Sequence, residues 1–101
     1  KITELNNCKE QTLNDLLNHK DVKIIDVRTE EEFIEGHIKD SINIPLHEIS
    51  DRIDEIRTMQ PMILCCRSGQ RSGRAVDFLR SHGFEDLCNG GGWLELADLN
   101  P

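Results

Sequence analysis

The sequence has no apolar run long enough to span a bilayer, no C-x-x-C pair, no internal repeat and no surplus of positive charge. Each absence removes a class of function. A membrane helix needs about 20 consecutive apolar residues, so neither a transmembrane helix nor a membrane partner is expected. A nucleic-acid surface needs clustered Lys and Arg against the phosphate charge. Here 19 Asp and Glu outnumber 12 Lys and Arg, for a formal net charge of −7. That balance argues against nucleic acid and serves solubility. The four cysteines, Cys8, Cys65, Cys66 and Cys88, match neither a disulfide framework nor a zinc pattern. Mostly reduced thiols in a reducing compartment are therefore expected, with no metal site. No signal peptide is legible, which points to a cytoplasmic location. The chain begins at Lys1 rather than methionine, so a removed leader, and with it a periplasmic location, stays open. A length of 101 residues suits one domain over 1–101.

What is present is an alternation of strand and helix patterns. Ile2 to Leu5 reads as a short first strand, with Asn6 and Asn7 as turn or cap residues. Leu13, Leu16 and Leu17 recur at helical spacing, predicting a helix over roughly 9–19. Val22 to Val27 is a β-branched run, apolar on both faces apart from Lys23, as in a parallel strand covered by helices. Thr29 before Glu30, Glu31 and Glu32 reads as a capped, acidic first turn, and Gly36 as its stop. Ser41 to Pro45 alternates with period two, as a short strand ended by proline. Leu46, Ile49, Ile53 and Ile56 share one stripe, predicting an amphipathic helix over 46–57. Gly83 is placed to end a helix, Phe84 to Cys88 reads as a last strand, and Asn89-Gly90-Gly91-Gly92 as a tight loop before a helical turn or two from Trp93. Strands alternating with helices imply an α/β fold: three layers, α/β/α, with a mainly parallel central sheet of about five strands.

The stretch 61–79, PMILCCRSGQRSGRAVDFL, carries the chemistry. An apolar strand passes through a polar loop into a helix with Ala75, Val76, Phe78 and Leu79 on its apolar side. The free amides of a helix N-terminus, together with a nest of loop N–H groups, make a site for an anion. A cysteine at the strand end faces that positive field, and its thiol pKa is expected to fall, since helix N-termini and nearby cations favour the thiolate. Arg67, Arg71 and Arg74 add a local basic site to an acidic chain and can steer a small anion. Gly69 suits a positive φ or a close backbone approach. Ser68 and Ser72 are hydrogen-bond donors or caps, and Gln70 contributes its backbone N–H.

The run Cys66-Arg67-Ser68-Gly69-Gln70-Arg71-Ser72 resembles the active-site loop of the rhodanese family of sulfurtransferases, in which a cysteine opens a six-residue loop that leads into a helix. Two further stretches are similar to that family: Asp26-Val27-Arg28 followed by acidic Glu32, and Gly36-His37-Ile38. The chain departs from the family where Pro-Gly-Ala often follows Gly-His-Ile, having Lys39-Asp40-Ser41, and where Trp93 follows Gly91-Gly92 at once. The resemblance implies that Cys66 takes a sulfane sulfur from a small anionic donor such as thiosulfate, becomes a persulfide, and passes the sulfur on. The implied acceptor is a thiol, small or on a protein such as a thioredoxin-like protein, with cyanide serving in an assay. Arg67, Ser68, Gly69, Gln70, Arg71 and Ser72 are then the substrate-binding loop. Asp26, Arg28 and His37 are scaffold around it, and no metal or organic cofactor is required. His37 is not a general base in this reading, because a thiolate already formed does not need one.

Other readings stay open at this point. Counted from Cys65, Arg71 completes C-x5-R followed by serine, which resembles the loop of cysteine-dependent phosphatases and of arsenate-reducing enzymes. In the tyrosine-phosphatase form of that loop, glycine stands three residues after the cysteine. Here Gly69 is third from Cys66, and Ser68 is third from Cys65. A non-enzymatic interaction module, and a redox sensor in which Cys65 or Cys88 resolves an oxidised Cys66, complete the set.

Overall fold

The computed structural model describes residues 10–99. Strands β1 (Lys23–Asp26), β2 (Ile42–Asn43), β3 (Met62–Cys66) and β4 (Leu87–Gly92) form a sheet in the order β2-β1-β3-β4, every neighbouring pair parallel. Helices α1 (Glu10–Leu17), α2 (Glu30–Glu35), α3 (Ile53–Arg57), α4 (Gln70–Ser81) and α5 (Trp93–Leu99), with a 3-10 helix over Leu46–Arg52, complete it. The predicted strand Ile2–Leu5, like Cys8, lies outside the described residues. The sheet therefore shows four strands rather than about five among those described.

The period-two geometry of a strand explains the layers. Along β3 every residue is buried, as a central parallel strand requires. Met62, Leu64 and Cys66 face one core, with Ile25, Val27, Ala75, Val76 and Leu79. Ile63 and Cys65 face the other, with Ile24 and Leu96, under Leu13, Leu16 and Leu17 of α1 and Trp93 of α5. The sheet thus lies between α4 and the 3-10 helix on one side and α1 and α5 on the other, the expected three-layer arrangement.

Two elements differ from their sequence patterns. The stripe at 46–57 is not one helix: it is a 3-10 helix and then α3, broken at Arg52, whose φ of −121° and ψ of 24° leave the helical region. Leu46 and Ile49, three residues apart, suit a turn of three, so the stripe stays inward through the break. The glycine run at 90–92 is strand, not loop. Its register with β3 jumps from Leu64↔Asn89 to Cys65↔Gly91, a bulge that leaves Gly90 without a partner. A Cβ on Gly90 would lie 2.7 Å from Ile63 Cγ2 and 2.9 Å from Leu96 Cδ2. Glycine there serves close packing between β3 and α5 rather than a turn. The expectation of mostly reduced thiols also needs correction. Cys65 and Cys66 are free, but Cys88 is disulfide-bonded, so it has no thiol with which to resolve Cys66. No helix among the described residues is long and apolar enough to cross a membrane.

Candidate functional site

Cys66 is the last residue of β3, at the carboxyl end of the sheet, where parallel α/β sheets hold ligands. The chain then turns through Arg67, Ser68 and Gly69 into α4. Gly69 caps that helix in the left-handed region, with φ of 96°, and a Cβ there would stand 3.1 Å from Gly91 Cα. Only glycine meets both demands without strain. The turn folds the amides back over the cysteine. Gly69 N–H donates to Cys66 Sγ at 3.0 Å and Ser72 N–H at 3.4 Å, with Ser72 Oγ also 3.4 Å away. Ser72 is fully buried beneath the first turn of α4.

Burial pushes the Cys66 thiol up. Hydrogen bonds from the Ser72 side chain and from the N–H groups of Ser72, Ser68 and Gly69 outweigh it, so the thiol lies below its ordinary value. Cys65 is the opposite case. It faces the other core, and burial first, then the Asp26 carboxylate, push its thiol far up. A phosphatase-type nucleophile at Cys65 would have to ionise inside that core, away from the loop, so the Cys65 frame fails on geometry and on charge.

The remaining loop residues separate by partner. Arg71 is clamped to Glu32, with Nη1 to Oε1 at 2.8 Å and Nη2 to Oε2 at 3.1 Å. Its guanidinium is stabilised chiefly by that bond, against burial, with the fields of Glu32, Cys66 and Asp26 adding. Arg67 is exposed and makes no ion pair among the described residues. It borders an open cleft of about 370 Å³, lined also by Glu32, Glu35, Gly36, Trp93 and Leu94. Gln70 and Ser68 are exposed at the loop rim.

Asp26 and Arg28 are buried and bonded to each other, and His37 lies at the surface. Arg28 Nε and Nη2 grip the Asp26 carboxylate at 2.9 and 2.7 Å. Nη2 also donates to Gly36 O at 2.7 Å, and the guanidinium lies 4.6 Å from the Trp93 ring centroid. This buried fork ties β1, the end of α2 and the start of α5 together. Exposed His37 stacks on Phe33 at 3.7 Å and pairs through Nδ1 with the Phe33 carbonyl at 2.7 Å.

Sequence reasoning missed Asn89. Its Nδ2 donates to Gly69 O at 3.0 Å, and its Oδ1 accepts from Gly91 N–H at 2.9 Å and from Ser72 Oγ at 2.7 Å. A signal was present. Alternation from Leu87 puts Asn89 on the α4 face of β4, and a polar residue on a core-facing position needs bonding partners. It also missed the pairing of Glu32 with Arg71.

Known proteins resemble this chain in sequence and fold. The family described as rhodanese-like domain matches residues 9–97. The chain is 42% identical over 71 residues to the uncharacterized protein YqhL of Bacillus subtilis (strain 168), covering 70% of this chain and 56% of YqhL. It is 35% identical over 78 residues to the thiosulfate sulfurtransferase PspE of Escherichia coli (strain K12), covering 72% of each. The solved structure of a rhodanese with anions from E. coli superposes with a TM-score of 0.64 at 33% identity, over 73% of this chain and 89% of that one.

Proposed function

Because the chain belongs to the rhodanese-like domain family, we propose that it is a sulfurtransferase in which Cys66 carries a sulfane sulfur as a persulfide. The observation that supports this most directly is the cysteine sulfur under two backbone amides, at 3.0 and 3.4 Å, at the start of a 12-residue helix. Such a site stabilises a thiolate and, after transfer, a persulfide anion.

The donor is a small anion of the thiosulfate class. Its charged end meets Arg67, the loop cation with no ion pair among the described residues, with Ser68 and Gln70 at the rim. Arg71 acts from its clamp with Glu32, adding field at the sulfur. The Cys66 thiolate attacks the outer sulfur of thiosulfate. The Cys66 S–S bond forms as the donor S–S bond breaks, and sulfite leaves with the electron pair. An acceptor thiolate, small or on a protein such as a thioredoxin-like one, then attacks the terminal sulfur and releases the Cys66 thiolate. Cyanide in that role yields thiocyanate. The scheme is two-step covalent catalysis with ping-pong kinetics.

The test is intact mass after incubation with thiosulfate, on wild type, Cys66→Ser and Cys65→Ser. Wild type and Cys65→Ser should each gain one sulfur atom that cyanide removes, and Cys66→Ser should gain none. Sulfur retained on Cys66→Ser would sink the assignment.

A further inference from the structure

Asn89 sits just before the β4 bulge, half-buried, opposite Leu64. Its partners fix the orientation of its amide. The Gly69 carbonyl can only accept, so the group 3.0 Å from it is Nδ2. The Gly91 N–H can only donate, so the group 2.9 Å from it is Oδ1. A flipped amide would set oxygen against oxygen at Gly69 and N–H against N–H at Gly91. The Ser72 hydroxyl, 2.7 Å from Oδ1, must therefore donate to it. That hydroxyl has a single proton, shared unequally between Asn89 Oδ1 at 2.7 Å and Cys66 Sγ at 3.4 Å. The Gly69 N–H, at 3.0 Å, is left as the closest donor to the sulfur.

Gly69 has no side chain to hold its left-handed conformation, and glycine explores φ freely on both sides of zero. Two bonds hold its carbonyl: Gly73 N–H at 2.9 Å, from the first turn of α4, and Asn89 Nδ2. Only the second comes from outside the helix. We infer that Asn89 is a positioning residue for sulfur transfer. From β4 it anchors the carbonyl side of Gly69, the residue whose N–H on the other side of its Cα meets the Cys66 sulfur, and so limits rotation about that Cα; it also sets the direction of the Ser72 hydroxyl. Asparagine suits the task because one planar group supplies a donor to Gly69 and an acceptor to Gly91 and Ser72 together. Aspartate lacks the donor and alanine lacks both.

The inference rests on the sulfurtransferase reading for the use made of the thiolate, but its test does not need a sulfur donor. The rate of Cys66 alkylation by iodoacetamide is followed against pH, with the modified residue located by peptide sequencing. Asn89→Ala should move the midpoint up by about half a pH unit or more, roughly threefold less thiolate at a fixed pH below it. Asn89→Asp keeps an acceptor for Gly91 and Ser72 but turns an oxygen on the Gly69 carbonyl and adds charge, so it should move the midpoint further. A purely structural role would lower the melting temperature and leave the midpoint in place. An unmoved midpoint in either folded variant overturns the inference. So does a fall in Asn89→Ala, which would mean that the freed Ser72 hydroxyl outweighs the loosened Gly69 amide. Thiosulfate labelling of wild-type protein reads the transfer chemistry separately, so either result can fail without the other.

Discussion

The clamp between Glu32 and Arg71 makes stability depend on acid in a way that can be computed and checked. The Arg71 hydrogen bond, with those from Thr29, outweighs burial and holds the Glu32 carboxyl at about 2, against an ordinary 4.5. A drop of about 2.5 units corresponds to at most roughly 3.4 kcal/mol, at 1.36 kcal/mol per unit. Both side chains are about 30% exposed, so solvent screening reduces the usable part to about 1–2 kcal/mol. A carboxyl whose folded value is depressed stabilises the native state fully above its unfolded value. That contribution is lost as pH falls from about 4.5 towards 2, and roughly half of it is gone by pH 3. Glu32→Gln removes the charge and keeps the shape. Urea unfolding at pH 7 should place the variant's midpoint roughly 0.5–1.5 M below wild type, and the gap should narrow steadily between pH 5 and pH 3. No gap at neutral pH, or a gap that stays constant down to pH 3, would refute the reasoning. Added salt should also narrow it, since the pair is partly solvated.

Arg28→Lys keeps the charge but loses the fork on Asp26 and the stacking on Trp93; a cost of about 2 kcal/mol or more should lower the melting temperature by roughly 8–16 °C, and a fall within about 2 °C would contradict it. Gly90→Ala drives a methyl into Ile63 and Leu96 and should cost about 1–3 kcal/mol by overpacking, read as a lower urea midpoint; an unchanged midpoint would show that β4 and α5 separate easily. The lowered Cys66 thiol predicts alkylation at pH 7 faster than that of an unstructured cysteine and declining only in more acidic solution, while Cys65 stays unmodified until the protein unfolds. Equal rates for the two cysteines would contradict it.

The parts of this molecule legible in the sequence are those set by neighbours a few residues apart. The capping box needs only Thr29 and Glu32, and the strand, loop and helix around Cys66 lie within one stretch of 20 residues or so. The glycine three residues after Cys66 already separated it from Cys65. What stayed hidden joins residues far apart in sequence. Arg71 finds Glu32 across 39 positions, and Asn89 finds Gly69 across 20 and Ser72 across 17. No periodicity encodes such a pair. The glycine run misled for a related reason. Glycine is the commonest sign of a turn, but here it answers to the side chains of Ile63 and Leu96, which only the folded sheet brings near.

An acidic protein that is to attract an anion must keep its carboxylates away from the place where the anion arrives. This chain does so by pairing rather than by distance. Asp26 lies in register with Cys65 on the neighbouring strand, one position short of Cys66, where an unpaired carboxylate would oppose both a thiolate and an anionic donor. Arg28 closes on it with a fork, at 2.9 and 2.7 Å. Glu32 comes next along the chain, and Arg71 closes on it. Two acids beside the loop are thus each matched by an arginine. The positive groups left facing the sulfur are amides, which carry no countercharge; Arg67 stands exposed on the adjoining cleft. The net charge of −7 therefore describes the surface as a whole and not the field at Cys66. On this account, freeing Glu32 by removing Arg71 should harm anion capture more than removing Arg67, because it both deletes a cation and releases an acid beside the loop.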